Sequence, residues 1–208
     1  MSETVVTFGE IMMRLSPPGF QRFRQAANLE LTFGGGEANT AVSLANFGMN
    51  SRFVTRLPEN DLGDACESFL HAHKVDTRAV VRGGERLGIY FLEAGAAQRG
   101  SQVIYDREHS AFAEILPGMV DWDNVFTGAS WFHWTGITPA VSQGAAEALQ
   151  EALNVARQRG ITISCDLNFR RKLWKWGRPA GEVMPDLVKF CDVIVGNEED
   201  AARVFDIH

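Results

Sequence analysis

Four short stretches hold residue types at spacings that can do chemistry. The first is residues 32–48, where Gly34, Gly35 and Gly36 stand in a row ahead of Glu37, Ala38 and Asn39. Consecutive glycines let the backbone approach a ligand with no Cβ in between. Ala38, Ala41, Val42 and Ala45 then recur at helical spacing, and Gly48 follows as a stop. A glycine turn opening a helix aims free N–H groups at whatever fills the turn, which favours polar or anionic ligands. The same residues also suit a tight turn between a strand and a packed helix. The run is neither a Walker A loop, since no Gly-Lys-Ser/Thr follows, nor a G-x-G-x-x-G turn.

The second stretch pairs Tyr90 with Tyr105 and Arg107 on two alternating segments. Tyr105 and Arg107 share parity, so they face one side of a strand. A tyrosine offers a hydroxyl and a flat ring, and an arginine a forked double donor for a carboxylate. Taken alone, these residues read first as a surface Tyr-Arg pair. The third stretch, Asp-Leu-Asn-Phe-Arg-Arg at 166–171, follows an apolar run and so lies at a strand's carboxyl end, where ligands of α/β sheets collect. Its other reading is an Asp166–Arg170 ion pair at the surface. The fourth, Asn-Glu-Glu-Asp at 197–200, is acidic enough to organise a cation, and equally a solvated helix start favoured by the helix dipole. His133 lies in an apolar strand and reads as a satisfied core histidine. His71 and His73 share no metal spacing with a third ligand, and no Ser-His-Asp triad can be argued from order.

The elements that position these residues alternate. Residues 4–8 read as a first buried strand, 10–16 as extended chain, 17–19 as a turn, and the alternating Leu29, Leu31 and Phe33 as strand. After the glycine-turn helix come a strand at 51–57, a loop at 58–63 and a helix at 64–74. Segments 86–93 and 101–108 alternate as a hairpin and are less apolar than doubly covered strands. With parts of 11–33 they read as a small sheet off the main domain. From residue 131 the pattern is strand 131–135, a helix from the Ser142 cap to Arg159, strand 161–166, helix 181–190, strand 192–195 and a last helix through Phe205. Such alternation predicts right-handed βαβ units on a mainly parallel sheet. No repeat or linker divides residues 1–208.

The chain has 208 residues, 45% of them apolar, enough for one sizeable core. A net charge of −6 argues against a nucleic-acid surface. Cys66, Cys165 and Cys191 are odd in number and scattered, which reads as reduced thiols in a cytoplasmic protein. No signal peptide or membrane-length apolar run is seen, so no membrane partner is expected.

The glycine turn followed by a helix carrying Asn39 resembles the first signature of the PfkB (ribokinase-like) carbohydrate kinases, and the variant with Glu37 is similar to their 2-keto-3-deoxygluconate kinase branch. That resemblance spans nearly the whole chain. It implies an α/β, ribokinase-like three-layer fold with a mainly parallel central sheet and a small β lid from about 11–33 and 86–108. It implies ATP as phosphoryl donor, Mg²⁺ on its phosphates and a small sugar as acceptor. On the matching positions, Gly34, Gly35, Gly36, Asn39, Tyr90, Tyr105, Arg107 and Arg170 would bind substrate, with Arg170 also on the transferring phosphoryl group. Asn168 and Asn197 would line the nucleotide, and Asp200, where relatives have Glu, would reach Mg²⁺ through water. The family's second signature, whose Asp is the base, is absent from these residues. The base is therefore expected beyond His208, and the sequence reads as the N-terminal two-thirds of a kinase truncated at the C-terminal side.

Ribokinases and fructokinases carry an Asp after the first strand, where this chain has Arg14. A cation there, with Arg107 and Arg170, points to an acidic sugar, 2-keto-3-deoxygluconate above all. The alternatives are a kinase of a neutral ketose or a non-catalytic sugar-acid-binding fragment. An open lid edge also predicts a homo-oligomer formed through the lid.

Overall fold

The computed structural model describes residues 3–207, so His208, past which the catalytic base is expected, lies outside the described residues. The chain opens with β1 (Thr4–Phe8), whose Val5, Val6, Thr7 and Phe8 are all buried, as a strand covered on both faces requires. Next come β2 (Met12–Ser16), a 3₁₀ turn at Phe23–Gln25, and β3 (Glu30–Gly34). Helix α1 (Gly36–Asn46) starts two residues after β3 ends. It is followed by β4 (Asn50–Val54), β5 (Arg56–Leu57), α2 (Asp61–Ala72), β6 (Val81–Arg82), β7 (Ile89–Glu93) and β8 (Gln102–Asp106). The second half holds α3 (Trp122–Val125), β9 (Ala129–Thr135), α4 (Thr138–Val141), α5 (Gln143–Gln158), β10 (Thr162–Asp166), α6 (Ala180–Val188), β11 (Val193–Val195) and α7 (Glu198–Phe205).

The main sheet has five strands in the order β11-β10-β9-β1-β4, every pair parallel. Phe53 and Val54 are neighbours on β4 and so point to opposite faces. They belong to two different apolar clusters, one per face. The larger gathers Phe132, Trp134, Leu149, Leu153 and Ile163 under α5 and α6. The smaller gathers Ala38, Ala41, Leu70 and Phe53 under α1 and α2, and reaches Ile11 and Met13. This is the expected α/β architecture: a mainly parallel sheet with helices on both faces.

A second sheet of four strands has the order β3-β2-β7-β8. β2 pairs antiparallel with β3 and parallel with β7, and β7 pairs antiparallel with β8. Its edge strand β8 is exposed along its length, including Val103, Ile104 and Tyr105. β11, at the edge of the main sheet, also exposes Val193, Ile194 and Val195.

Local chemistry sets several boundaries. Ser142 caps α5 by accepting from the Ala145 N–H at 3.1 Å. Helix α2 begins at Asp61 rather than at 64, because the Asn60 side chain accepts from Leu62 N and Gly63 N, both at 3.1 Å. A loop reading of 58–63 overlooked that cap. Strands β7 and β8 are shorter than the 86–93 and 101–108 patterns, since Arg86 and Glu108 serve the flanking turns. The short helices α3 and α4 had no pattern long enough to read.

Leu149 is fully buried where α5 meets the sheet. Leu149→Ala should cost about 2–5 kcal/mol of unfolding free energy in urea titrations. A loss below about 1 kcal/mol would mean that this face of α5 is not core.

Candidate active site

The β1 strand ends at Phe8, β9 at Thr135 and β10 at Asp166, and the three carboxyl ends lie side by side. Helix α1 is tied to this edge by a buried carboxyl. Glu37 Oε1 accepts from Thr135 N at 3.1 Å, Thr135 Oγ1 at 2.8 Å and Thr138 Oγ1 at 2.7 Å. Burial pushes the Glu37 carboxyl above its ordinary 4.5, and the bonds from Thr138 and Thr135 only partly pull it back. The start of α1 is thus fixed over the strand ends, with its free amides facing outward.

The glycine turn packs on backbone. A Cβ at residue 35 would sit 2.0 Å from the Glu10 carbonyl oxygen, a contact no side-chain rotation could relieve. Gly34 lies beside the Tyr90 hydroxyl and the Asn39 side chain, and Gly36 beside Thr135 and the Asn168 amide.

The small sheet supplies the facing wall. Tyr90 and Tyr105 are register partners on β7 and β8, with ring centroids 6.1 Å apart. Arg14 on β2 is the register partner of Tyr90 on its other side. Burial raises the Tyr90 hydroxyl, with Arg14 opposing, so the group is a neutral donor at ordinary pH. Arg107 is buried one residue past β8, its guanidinium carbon 6.0 Å from the Tyr105 ring centre. Its Nε donates to Glu10 Oε2 at 2.8 Å and its Nη2 to the same oxygen, while Ser110 Oγ donates to Glu10 Oε1 at 2.6 Å.

These walls enclose a cavity of about 180 Å³. Gly34, Gly35, Gly36, Asn39, Tyr90, Tyr105, Arg107 and Arg170, all singled out in the sequence, line it together. A larger cleft of about 970 Å³ adjoins it and shares Tyr105, Arg107 and Leu173. Two more clefts, of about 400 and 470 Å³, share Arg52 and Arg78. Both arginines there are already paired with Asp76.

Arg170 forms no ion pair with Asp166. Its Nη1 donates to the Phe169 carbonyl at 2.9 Å, and Asp166 Oδ1 accepts from Asn168 N at 3.2 Å. Asn168 takes a left-handed φ of 36°, which turns the chain at the strand end. Asn197 and Asp200 lie outside the cavity lining. The Asn197 side chain caps α7 by accepting from Asp200 N at 2.8 Å, and buried Asp200 accepts from Phe169 N at 3.2 Å through Oδ1. Together they hold the segment that carries Arg170. Among the described residues no three His, Cys, Asp or Glu side chains group as a metal site. His133 bonds Ser164 Oγ at 2.9 Å and burial lowers it, as for a core histidine. The three cysteines are free thiols, and no described helix is long and apolar enough to cross a membrane.

Sequence reasoning missed Glu10, Ser110 and the anchoring role of Glu37. Glu10 carried a usable signal: an acid immediately past the carboxyl end of a buried strand stands on the ligand edge of the sheet.

Residues 2–208 match the model of the pfkB family of carbohydrate kinases. The chain is 36% identical over 207 residues to a 2-dehydro-3-deoxygalactonokinase of Haloferax volcanii, covering 100% of this chain and 64% of that protein. It is 29% identical to a 2-dehydro-3-deoxygluconokinase of Thermoproteus tenax, covering 95% of this chain and 60% of the relative. The crystal structure of 2-dehydro-3-deoxygluconokinase from Thermotoga maritima superposes with a TM-score of 0.95 at 48% identity, covering 99% of this chain and 63% of that one. The chain therefore belongs to the pfkB family of carbohydrate kinases and spans 60–64% of the length of these relatives.

Because burial raises the Glu37 carboxyl, the folded protein keeps a proton that the unfolded chain releases near 4.5. Its contribution to stability is whole below that pH and is lost as pH rises through the folded value. The amide of Glu37→Gln cannot ionise, so the difference in unfolding midpoint should shift in favour of the variant between about pH 5 and about pH 8. A difference that stays constant with pH would show that the carboxyl is not shifted.

Proposed function

We propose that this chain is the sugar-binding part of an ATP-dependent kinase acting on the terminal hydroxyl of a sugar acid, 2-keto-3-deoxygluconate. The observation that carries the reading is an excess of positive charge at the cavity of a chain whose net charge is −6. Arg107 is balanced by Glu10, and burial favours neutral Glu37. Arg170 in the lining and Arg14 next to Tyr90 pair with no carboxylate among the described residues. That surplus suits one carboxylate and an arriving phosphoryl group. The names of the relatives support the same substrate class.

In this reading the carboxylate meets Arg107, Tyr90 and Tyr105, while sugar hydroxyls meet Asn39 and the amides of the glycine turn. Arg170 stabilises charge on the transferring phosphoryl oxygens. The small sheet acts as a lid that keeps water from ATP. Neither cavity carboxyl suits the role of base, since Glu10 is held by Arg107 and Ser110 and Glu37 is held by Thr135 and Thr138. The base would then be the Asp of the family's second signature, a motif that these residues do not contain.

For ATP, the Asn168 amide is available beside Gly36, whereas the Asn197 side chain is occupied by the α7 cap. For Mg²⁺, Asp200 already accepts from Phe169 N, and the described residues do not fit a direct metal site. Mg²⁺ would arrive on the ATP phosphates, which with water satisfy its preference for oxygen ligands. Free thiols and a metabolic substrate suit a cytoplasmic setting. The exposed β8 edge, with Val103 and Ile104, suits pairing with a second copy through the lid.

Four measurements test this reading. In a longer form of the protein that carries the second signature, ATP-dependent phosphoryl transfer should occur with 2-keto-3-deoxygluconate and not with fructose, and turnover on fructose alone would sink the proposal. Arg170→Ala should slow phosphoryl transfer by about 100-fold or more, the scale of a lost donor to transition-state charge, while the Kd for the sugar acid changes little. Its unfolding midpoint should stay unchanged, because Arg170 is exposed and bonds only a neighbouring carbonyl. Sedimentation should give a dimer that Ile104→Lys dissociates, and a monomeric wild type would remove the lid interface.

A further inference from the structure

Glu10 stands between the two sheets and contacts three separate segments. It lies two residues past β1, with its side chain 1% exposed. Its backbone carbonyl sits against Gly35 of the glycine turn. Its carboxylate passes so close to Gly88, just ahead of β7, that a Cβ there would lie 2.4 Å from Oε1. Its two oxygens accept from Arg107 and Ser110, beyond β8. The link continues in the backbone, where Met13 N donates to Gly88 O at 2.9 Å and Ala111 N to Arg86 O at 2.8 Å.

A buried ion pair is weak evidence for stability, because desolvation of both charges offsets their attraction. Its geometry is more informative. Glu10 takes the Nε and Nη2 edge of the guanidinium. The planar fork then presents its other edge, Nη1 with the second Nη2 hydrogen, and Arg107 lines the cavity. That edge matches a carboxylate in bidentate geometry.

We propose that Glu10 is a positioning residue for the acid group of the substrate. It holds Arg107 by one edge so that the other receives the ligand carboxylate, and it cancels the charge of Arg107, leaving Arg14 and Arg170 to attract the anion. The proposal rests on the sugar-acid reading of the cavity and adds the residue that makes Arg107 a directional donor. Positioning and charge predict opposite signs when Glu10 is neutralised. If Glu10 merely offset positive charge, Glu10→Gln would bind an anion more tightly. If Glu10 orients Arg107, the variant binds more weakly, since the Gln amide cannot accept from both Nε and Nη2 at one charged oxygen.

The test has one arm without ligand and one with it. In the first, NMR of the wild-type protein should show the Arg107 Nε–H protected from solvent exchange, and Glu10→Gln should lose that protection. In the second, calorimetry should show the Kd for 2-keto-3-deoxygluconate rising about tenfold or more in Glu10→Gln, the scale of a lost charge-assisted bond. Arg107→Lys should cost as much in wild type, yet add little in the Glu10→Gln background, which a merely structural role would not produce. Should Glu10→Gln fail to fold, Ser110→Ala removes the bond that steers the same carboxylate, and it should weaken binding in the same direction. Equal exchange of the Nε–H in both proteins, or sugar-acid binding as tight or tighter in Glu10→Gln or Ser110→Ala, would overturn the proposal. A protected Nε–H in a wild type that binds fructose and not the sugar acid would overturn the sugar-acid reading instead, leaving Glu10 to orient Arg107 toward neutral hydroxyls.

Discussion

A carboxyl buried at the joint of two helices and the end of one strand governs this site. Glu37 belongs to the first turn of α1, and its donors come from Thr135 and Thr138 at and beyond the end of β9. Without such partners a buried carboxyl would cost several kcal/mol. With them it pins the helix start against the carboxyl edge of the sheet. The Thr135 hydroxyl also accepts from Ile137 N at 3.2 Å, so the turn after β9 is held by the same group. The cavity floor is therefore set by contacts among backbone and short side chains, which have few rotamers to relax into. The fit of Gly35 on the Glu10 carbonyl is rigid for the same reason.

Charge is distributed against the average of the chain. The protein is acidic overall, yet its deepest guanidinium, Arg107, is neutralised locally and the more accessible Arg170 is not. Local pairing decides what a ligand meets, because charges more than about 8–10 Å away are screened at physiological salt. The small sheet joins the main domain through residues 9–11, the glycine turn, the Glu10 contacts and the apolar cluster that holds Met13, while β8 stays exposed.

The acidic start of α7 shows how one pattern serves two purposes. Asn197 and Asp200 have the composition of a cation site, and the helix dipole favours acids there in any case. In the fold both bond to backbone N–H groups of the chain itself. Asn197 caps the helix, and Asp200 binds the Phe169 N–H, setting the strand-end loop from which Arg170 extends. Their contribution to the site is to position a neighbour.

Residue type and spacing were enough to read the strand and helix alternation, the helix that follows the glycine turn, and the small sheet's hairpin, because these follow from local periodicity and capping. Tyr90, Tyr105, Arg107 and Arg170 were marked by the resemblance to the carbohydrate kinases, since their types and spacing alone read as well for ordinary surface. What periodicity could not reach was any contact made over long separations. Glu10 meets Arg107 across 97 positions and Glu37 meets Thr135 across 98. No local pattern records such partners, since they are chosen by where the sheets cross. Residue identities alone thus set which groups were available and in what order the elements carry them. Which acid each arginine faces, and so which cation is left free for a ligand, came from the packing of the two sheets, because only that packing brings distant side chains within bonding range.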